Sequence, residues 1–335
     1  MNEIIKHIFP QKTVVIVGDL VADQFLRGTI SRVSREAPVF ILRHDETETL
    51  AGGAANAATN VASLGGRAVL IGLAGTDSNG HALLEQLAAS RVDCRFLIRS
   101  EKLTTTTKVR VLAGQHYAPR QQVIRIDYEN QQTIDEETFE RLKTNLKEAA
   151  KEADAIIISD YNYGVASREL AEIARQISSE KKIPLLVDSR FRLSEFDGAT
   201  TATPNQEEVE QILGKGFTTE NCAELCEKLG YEALLVTRGN KGMILVEAGK
   251  APLYLEAVGS KEPVDVTGAG DTVIAAYALA LAAGLGFAES AKLANLAGGI
   301  VVMKKGTASI SAKELISANE NFDDSARNRS NSAGN

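Results

Sequence analysis

The sequence of 335 residues has no tryptophan, only three cysteines, four histidines and seven prolines. Cys94, Cys222 and Cys226 are an odd and sparse set, which excludes a disulfide framework and points to a reducing, cytoplasmic setting. The spacing of Cys222 and Cys226 predicts helix packing. His7, His44, His81 and His116 are scattered without ligand spacing, which argues against a metal centre or a histidine-activated nucleophile. No apolar run is long enough for a membrane: Val273 to Leu285 is too short and too alanine-rich. The opening MNEIIKHIFPQK lacks the apolar core and small-residue cleavage site of a secretory signal. Nor is there a block of basic residues. With 37 Lys and Arg against 44 Asp and Glu, the net charge of −7 makes nucleic acid an unexpected partner.

What is present is an ordinary globular composition, 44% hydrophobic and 24% charged, in a length that allows two domains or one large α/β domain with an appendage. Thr13 to Val17 is a continuous β-branched run ending in Gly18-Asp19, the pattern of a buried parallel strand that delivers a carboxylate to its C-terminal edge. Val69 to Gly72, Ala155 to Ile158, Pro184 to Val187 and Ala233 to Val236 repeat it, ending near Asp160, Asp188 and Thr237. Helical periodicity between them, at 54–64, 80–89, 135–152, 167–179, 206–213 and 219–229, predicts βα units and a layered, mostly parallel sheet whose ligands bind beyond the strand C-termini. Two segments, about 25–50 and 104–128, alternate polar and apolar residues or break the βα rhythm, and predict a small β lid. Residues 319–335 read as a polar, disordered tail behind a single domain over 1–318. No internal repeat is evident.

The strongest chemical signal is Asp265-Val-Thr-Gly-Ala-Gly-Asp271-Thr272, which opens an apolar helix. Glycines at a helix start leave the N–H groups of Gly268, Ala269 and Gly270 free to converge on an anion at the positive end of the helix dipole. Asp271 at the rim of that cradle suits a base that takes the proton of an attacking hydroxyl. Taken alone, the same residues also read as a tight turn with a capping Asp. A dinucleotide fingerprint would need glycine where Val273 stands, and a Walker A loop would need a Gly-Lys-Ser/Thr triplet that the sequence does not contain. Gly52-Gly53-Ala-Ala-Asn56 gives close backbone access and an amide suited to sugar hydroxyls, or a tightly packed small-residue helix. Asn205 and Glu208 have the form of a capping box, and Thr237 to Gly242 that of a glycine-rich turn after a strand.

In this order the motifs resemble the PfkB, or ribokinase-like, carbohydrate kinase family, over about Thr13 to Ile316. The resemblance implies a ribokinase-like three-layer α/β/α sandwich with a small β lid. Gly18-Asp19, the stretch from Ser31 to Val39, Ser159-Asp160-Tyr161 and the segment from Asn295 to Thr307 are similar to the D-glycero-β-D-manno-heptose 7-phosphate kinases of that family. Arg35 stands where those kinases tend to have proline, Tyr163 where they have lysine, and Asp188-Ser189-Arg190 where they have Asp-Pro-Lys. The nucleotidyltransferase that accompanies some of those kinases is expected on a separate protein.

The resemblance implies ATP and Mg²⁺ as cofactors, with Thr237, Gly239 and Asn295 around the nucleotide and Asn205 and Glu208 holding the magnesium hydration shell. Asp19, Gly52, Gly53, Asn56, Arg110 and Asp160 are expected at the acceptor. Asp271 is the expected base, Gly268, Ala269 and Gly270 the anion hole, and Asp265 and Thr267 the surroundings of a monovalent cation, K⁺. A homodimer paired through lid strands is expected. The alternatives are a kinase of the same family for fructose, ribose or a nucleoside, a non-catalytic sugar-binding protein, and a dehydrogenase.

Overall fold

The computed structural model describes residues 1–115, 117, 120–129, 133–259 and 262–321. The β-branched runs do form the centre of a parallel sheet. Strands β1 (Thr13–Gly18), β4 (Arg67–Gly75), β5 (Leu97–Ser100), β8 (Ala155–Asp160), β9 (Leu185–Ser189), β10 (Thr201–Ala202), β11 (Ala233–Thr237), β12 (Met243–Glu247) and β13 (Leu253–Leu255) make nine strands in the order β13-β12-β11-β10-β9-β8-β1-β4-β5. The strands from β11 to β5 are parallel, and β12 and β13 close one edge antiparallel. Four of these strands, β5, β10, β12 and β13, are too short or too close to a turn to stand out in the sequence.

Alternate residues of the central strands feed two separate cores, which makes the domain three layers deep. Val14, Ile16 and Leu70 pack with helices α2 (Ala54–Ser63), α8 (Ala269–Ala282) and α9 (Phe287–Val301). Val15, Val17 and Ile71 pack with α4 (Glu136–Ala149), α5 (Arg168–Lys181) and α7 (Thr219–Leu229) on the other face. Cys222 and Cys226 lie buried in this second core, as helix packing predicts. Helix α8 is buried on all sides from Asp271 to Ala280, so its N-terminus is held rigidly against the strand ends. The remaining helices, α1 (Asn2–His7), α3 (Ser78–Ala89) and α6 (Gln206–Leu213), flank the sheet.

The lid is a four-stranded sheet, β3-β2-β6-β7, made of β2 (Leu20–Val33), β3 (Phe40–Gly53), β6 (Thr107–Gly114) and β7 (Gln121–Tyr128). It begins five residues before the expected Phe25, because β2 leaves β1 after the single residue Asp19. Strand β3 runs directly into α2, so both ends of the first lid hairpin are anchored at the strand C-termini. His116 lies outside the described residues. The first residues of the expected tail are ordered: residues 312–321 are helical, and Asn319 donates to Asn2 at 2.9 Å. Residues 322–335 lie outside the described residues. Among the described residues no helix is long and apolar enough to cross a membrane.

Candidate active site

Helix α8 starts on Gly268, whose left-handed backbone (φ 74°) turns the loop into the helix. A side chain there would meet Asn56 Nδ2 at 2.4 Å, so glycine is required for the loop to close on α2. Among the described residues, the N–H groups of Gly268, Gly270 and Asp271 have no intramolecular acceptor. Ala269 differs from expectation. Its N–H is turned to the Val266 carbonyl at 3.2 Å, so the open donors are those of Gly268, Gly270 and Asp271.

Asp271 is buried, and both its oxygens are held. Asn56 Nδ2 donates to Oδ2 at 2.7 Å and the Tyr161 hydroxyl donates to Oδ1 at 2.9 Å. Asn56 is in turn braced by Asn60, which donates to Asn56 Oδ1 at 3.1 Å. Desolvation raises the Asp271 carboxyl to about pKa 7, helped by the charge of Asp188, against the lowering pull of Asn56, Tyr161 and Arg190. Asp188, at the end of β9, is raised to about 7 by desolvation and by the Glu208 carboxylate. Glu208 is itself raised by desolvation.

Gly52 and Gly53 make room for other groups. A side chain on Gly52 would sit 2.4 Å from Asp23 Oδ2, and one on Gly53 (φ 59°) would strike the Asp19 carbonyl at 2.6 Å. The carboxylate beside Gly52 is Asp23, four residues beyond the expected Asp19. Asp23 accepts from the Thr307 hydroxyl at 3.0 Å and pairs with Arg110, which also lies over the Phe25 ring at 5.4 Å.

Asp19 and Asp160 correct the sequence reading. Both lie at strand C-termini, but their carboxylates turn away from the cleft into the loop that follows β8. Asp19 accepts the N–H groups of Tyr161 at 2.9 Å, Tyr163 at 3.0 Å and Val165 at 2.9 Å. Asp160 accepts from Ser189 Oγ at 2.6 Å, Arg192 at 2.5 Å and the Asn162 N–H at 3.0 Å. The two carboxylates shape the loop that presents Tyr161.

On the other side of Gly270 lies an apolar cleft lined by Thr237, Gly239, Met243, Val258, Val273 and Asn295. Asn295 commits its amide to the Glu256 carbonyl at 2.7 Å and so fixes the cleft wall. Asn205 and Glu208 form the capping box, at 2.9 and 2.8 Å, beside Thr237. Asp265 accepts the N–H groups of Thr267 at 2.9 Å and Gly306 at 3.0 Å, tying the glycine loop to the segment that carries Thr307. Each oxygen of that carboxylate thus accepts one N–H.

Tyr161, Asp23, Lys108 and Thr307 reach the site without having been singled out for it by sequence, whereas Asp188 is expected at a strand end and Arg190 among the arginines that could meet a substrate phosphate. Asp188 and Arg190 stand in a strand-end motif visible in the sequence. Asp23 and Lys108 are found only through the lid register, which places them as neighbours on β2 and β6.

Residues 11–314 match the profile described as pfkB family carbohydrate kinase. The chain is 41% identical to "Bifunctional protein HldE" of Chromohalobacter salexigens over 93% of this chain, and 41% identical to that of Haemophilus influenzae over 92%. It spans 64% of the length of these curated relatives. Among solved structures, phosphofructokinase-2 from Escherichia coli in complex with substrates and products superposes with a TM-score of 0.75 at 20% identity, covering 91% of this chain and 98% of that one. Arabidopsis thaliana ribokinase complexed with ribose and ATP gives 0.70 at 21%, covering 92% and 98%. These likenesses show the ribokinase-like α/β fold already read from the strand order. With a profile match across nearly the whole domain, and a helix start that holds a carboxylate beside open N–H donors, the chain belongs to the pfkB family of carbohydrate kinases, phosphotransferases that act on a sugar hydroxyl.

Proposed function

We propose that the protein transfers the γ-phosphoryl of ATP to the anomeric hydroxyl of D-glycero-β-D-manno-heptose 7-phosphate, giving the 1,7-bisphosphate. The observation that carries the chemistry is Asp271, buried and doubly held beside the open N–H groups of Gly268, Gly270 and its own backbone. The heptose acceptor is supported by the motifs shared with heptose 7-phosphate kinases and by identity of 41% to relatives of the same name in two organisms.

In this reading the acceptor lies between the lid and the strand ends, with its hydroxyls on Asp23 and Asn56 and Gly52 and Gly53 clearing the approach. A carboxylate titrating near pH 7 matches the task of a base at neutrality. Asp271 takes the hydroxyl proton as the oxygen attacks phosphorus, and the bond to the ADP oxygen breaks with its electrons leaving on ADP. The helix N-terminus stabilises the charge on the transferring group. The adenine side of ATP fits the apolar cleft by Thr237, Gly239 and Asn295.

The residues present fit Mg²⁺ held mainly through water. Desolvation and the Glu208 carboxylate raise the Asp188 carboxyl, desolvation raises Glu208, and Arg190 pulls both down, while no three metal-ligating side chains converge among the described residues. Asp188 and Glu208, with Asn205 alongside, would hold the ion's hydration shell, and the ion would supply positive charge against the phosphates. The Asp265 carboxylate accepts one N–H on each oxygen, from Thr267 and Gly306, and would retain lone pairs for a monovalent cation beside Thr267; no step uses K⁺. The exposed outer edge strand β7, with Val123, Ile124 and Ile126 in the open, supports a homodimer through the lids. Three free cysteines support a cytoplasmic site of action.

The test is ADP formation from Mg-ATP with heptose 7-phosphate against ribose, fructose and adenosine, with the product's phosphate located by ³¹P NMR. Efficient turnover of the heptose phosphate, with a new anomeric phosphate, is expected. Preference for an unphosphorylated sugar or nucleoside would overturn the substrate reading.

A further inference from the structure

Three lid strands, β2, β6 and β7, place five charged residues on one face. Asp23 is the register neighbour of Lys108, and Lys108 of Asp127 on β7, while Arg110 is the neighbour of Arg125. Four of these charges are matched in pairs: Arg110 pairs with Asp23, and Arg125 with Asp127 at 2.8 Å. Lys108 is different. Among the described residues its ammonium makes no hydrogen bond or ion pair, although the side chain is half-buried. It stands instead over two aromatic rings of the loop after β8, 5.3 Å from the centre of Tyr161 and 5.6 Å from that of Tyr163.

A second cation shares the same ring: the Arg190 guanidinium lies 4.9 Å from the centre of Tyr161. The two repel each other, and together with desolvation this lowers the Lys108 pKa. Holding two like charges around one ring is unfavourable, and the aromatic faces, with the more distant carboxylates of Asp188 and Asp271 near Arg190 and of Asp23 and Asp127 near Lys108, recover only part of that cost. Such an arrangement is the resting state of a site whose anion arrives with the ligand.

We propose that Lys108, supported by Arg190, binds a phosphate carried by the sugar acceptor and is the residue by which the enzyme selects phosphorylated over unphosphorylated sugars. The inference rests on the reading that the acceptor is a sugar phosphate. The geometry separates this anion from the one being transferred. Tyr161 has its hydroxyl on Asp271 and its ring under Lys108, which puts the ammonium roughly 8 Å from the base when a cation stands over the ring face. Because Lys108 is on the lid, an acceptor phosphate would also draw β6 down onto the loop, enclosing the reaction once the correct substrate is in place.

The test compares wild type with Lys108→Met and Lys108→Arg, using heptose 7-phosphate and the same heptose without phosphate. The ratio of their kcat/KM values is expected to fall by about 30-fold or more in Lys108→Met, through KM of the phosphorylated sugar, with Lys108→Arg recovering most of it. A parallel loss on both sugars would assign Lys108 to lid folding alone and overturn the proposal, as would an unchanged ratio. Inorganic phosphate supplies an independent reading that does not depend on the identity of the sugar. It should inhibit wild type competitively against whichever acceptor is turned over, and Lys108→Met about tenfold more weakly. If wild type ignores heptose 7-phosphate but shows this Lys108-dependent phosphate inhibition, the heptose reading fails and the anion subsite stands; if phosphate inhibits both proteins equally, the subsite fails.

Discussion

The hydroxyl of Tyr161 donates to Oδ1 of Asp271 at 2.9 Å, joining the loop after β8 to the first turn of α8 across 110 residues of sequence. The bond stabilises the ionised form of the base in surroundings that otherwise favour the neutral acid. Tyr161→Phe keeps the ring beneath Lys108 and Arg190 and removes only the donor. The acid limb of the pH profile of kcat should therefore move to higher pH, with a loss of roughly tenfold at neutrality that recovers in alkaline buffer. A uniform loss at all pH values would show that the hydroxyl does not tune Asp271.

Burial of Asp271 also has a cost in stability. Its folded pKa of about 7 lies above the ordinary carboxylate value, so the native state holds the proton more tightly than the unfolded chain. The contribution favours folding at low pH and is lost as pH rises through 7. Asp271→Asn removes the titration, and its melting temperature relative to wild type should be higher at pH 8 than at pH 5. Thermal melts across that range check it; a difference independent of pH would contradict the assigned cause.

Asp23 and Arg110 neutralise each other in a nearly closed setting, with side-chain exposures of 7% and 12%. Asp23→Ala leaves the guanidinium without its partner and removes an acceptor from the sugar pocket, an effect worth several kcal/mol when such a pair is buried. We expect KM for the sugar to rise at least about tenfold while ATP affinity changes little. Isothermal titration with ATP and steady-state kinetics with sugar separate the two, and equal weakening of both ligands would refute the placement.

Gly268 tests the helix start. With φ at 74° and Asn56 Nδ2 only 2.4 Å from the position of a Cβ, Gly268→Ala must move either the loop or the asparagine that holds the base. Turnover should fall by about a hundred-fold, and the melting temperature by a few degrees, since a strained left-handed residue costs on the order of 1–2 kcal/mol. Gly270→Ala, where a Cβ meets nothing within 4 Å, is the matched control for stability.

The parts of this enzyme that are contiguous in sequence were readable from it. The strand β1 with its β-branched run, the glycine loop before Asp271 and the Gly52-Gly53 helix start each carry their structural reason within a dozen residues. Asp19 and Asp160 show where that reading stops. A carboxylate at a strand end can face the cleft or turn back to cap the next loop, and only the backbone N–H groups of Tyr161, Tyr163 and Val165 decide for Asp19. Asp23, Lys108 and Tyr161 depend on a lid register and a loop path that no local pattern announces. Ala269 illustrates a smaller limit, since the turn at Gly268 spends its N–H on Val266.

The central claim is that Asp271 takes the proton from the acceptor hydroxyl. The most direct measurement is single-turnover phosphoryl transfer by Asp271→Asn, with ATP binding measured on the same preparation. The account predicts a rate lower by about a hundred-fold or more, with ATP affinity within a factor of about three of wild type. A variant that transfers phosphate at a near-normal rate would contradict it.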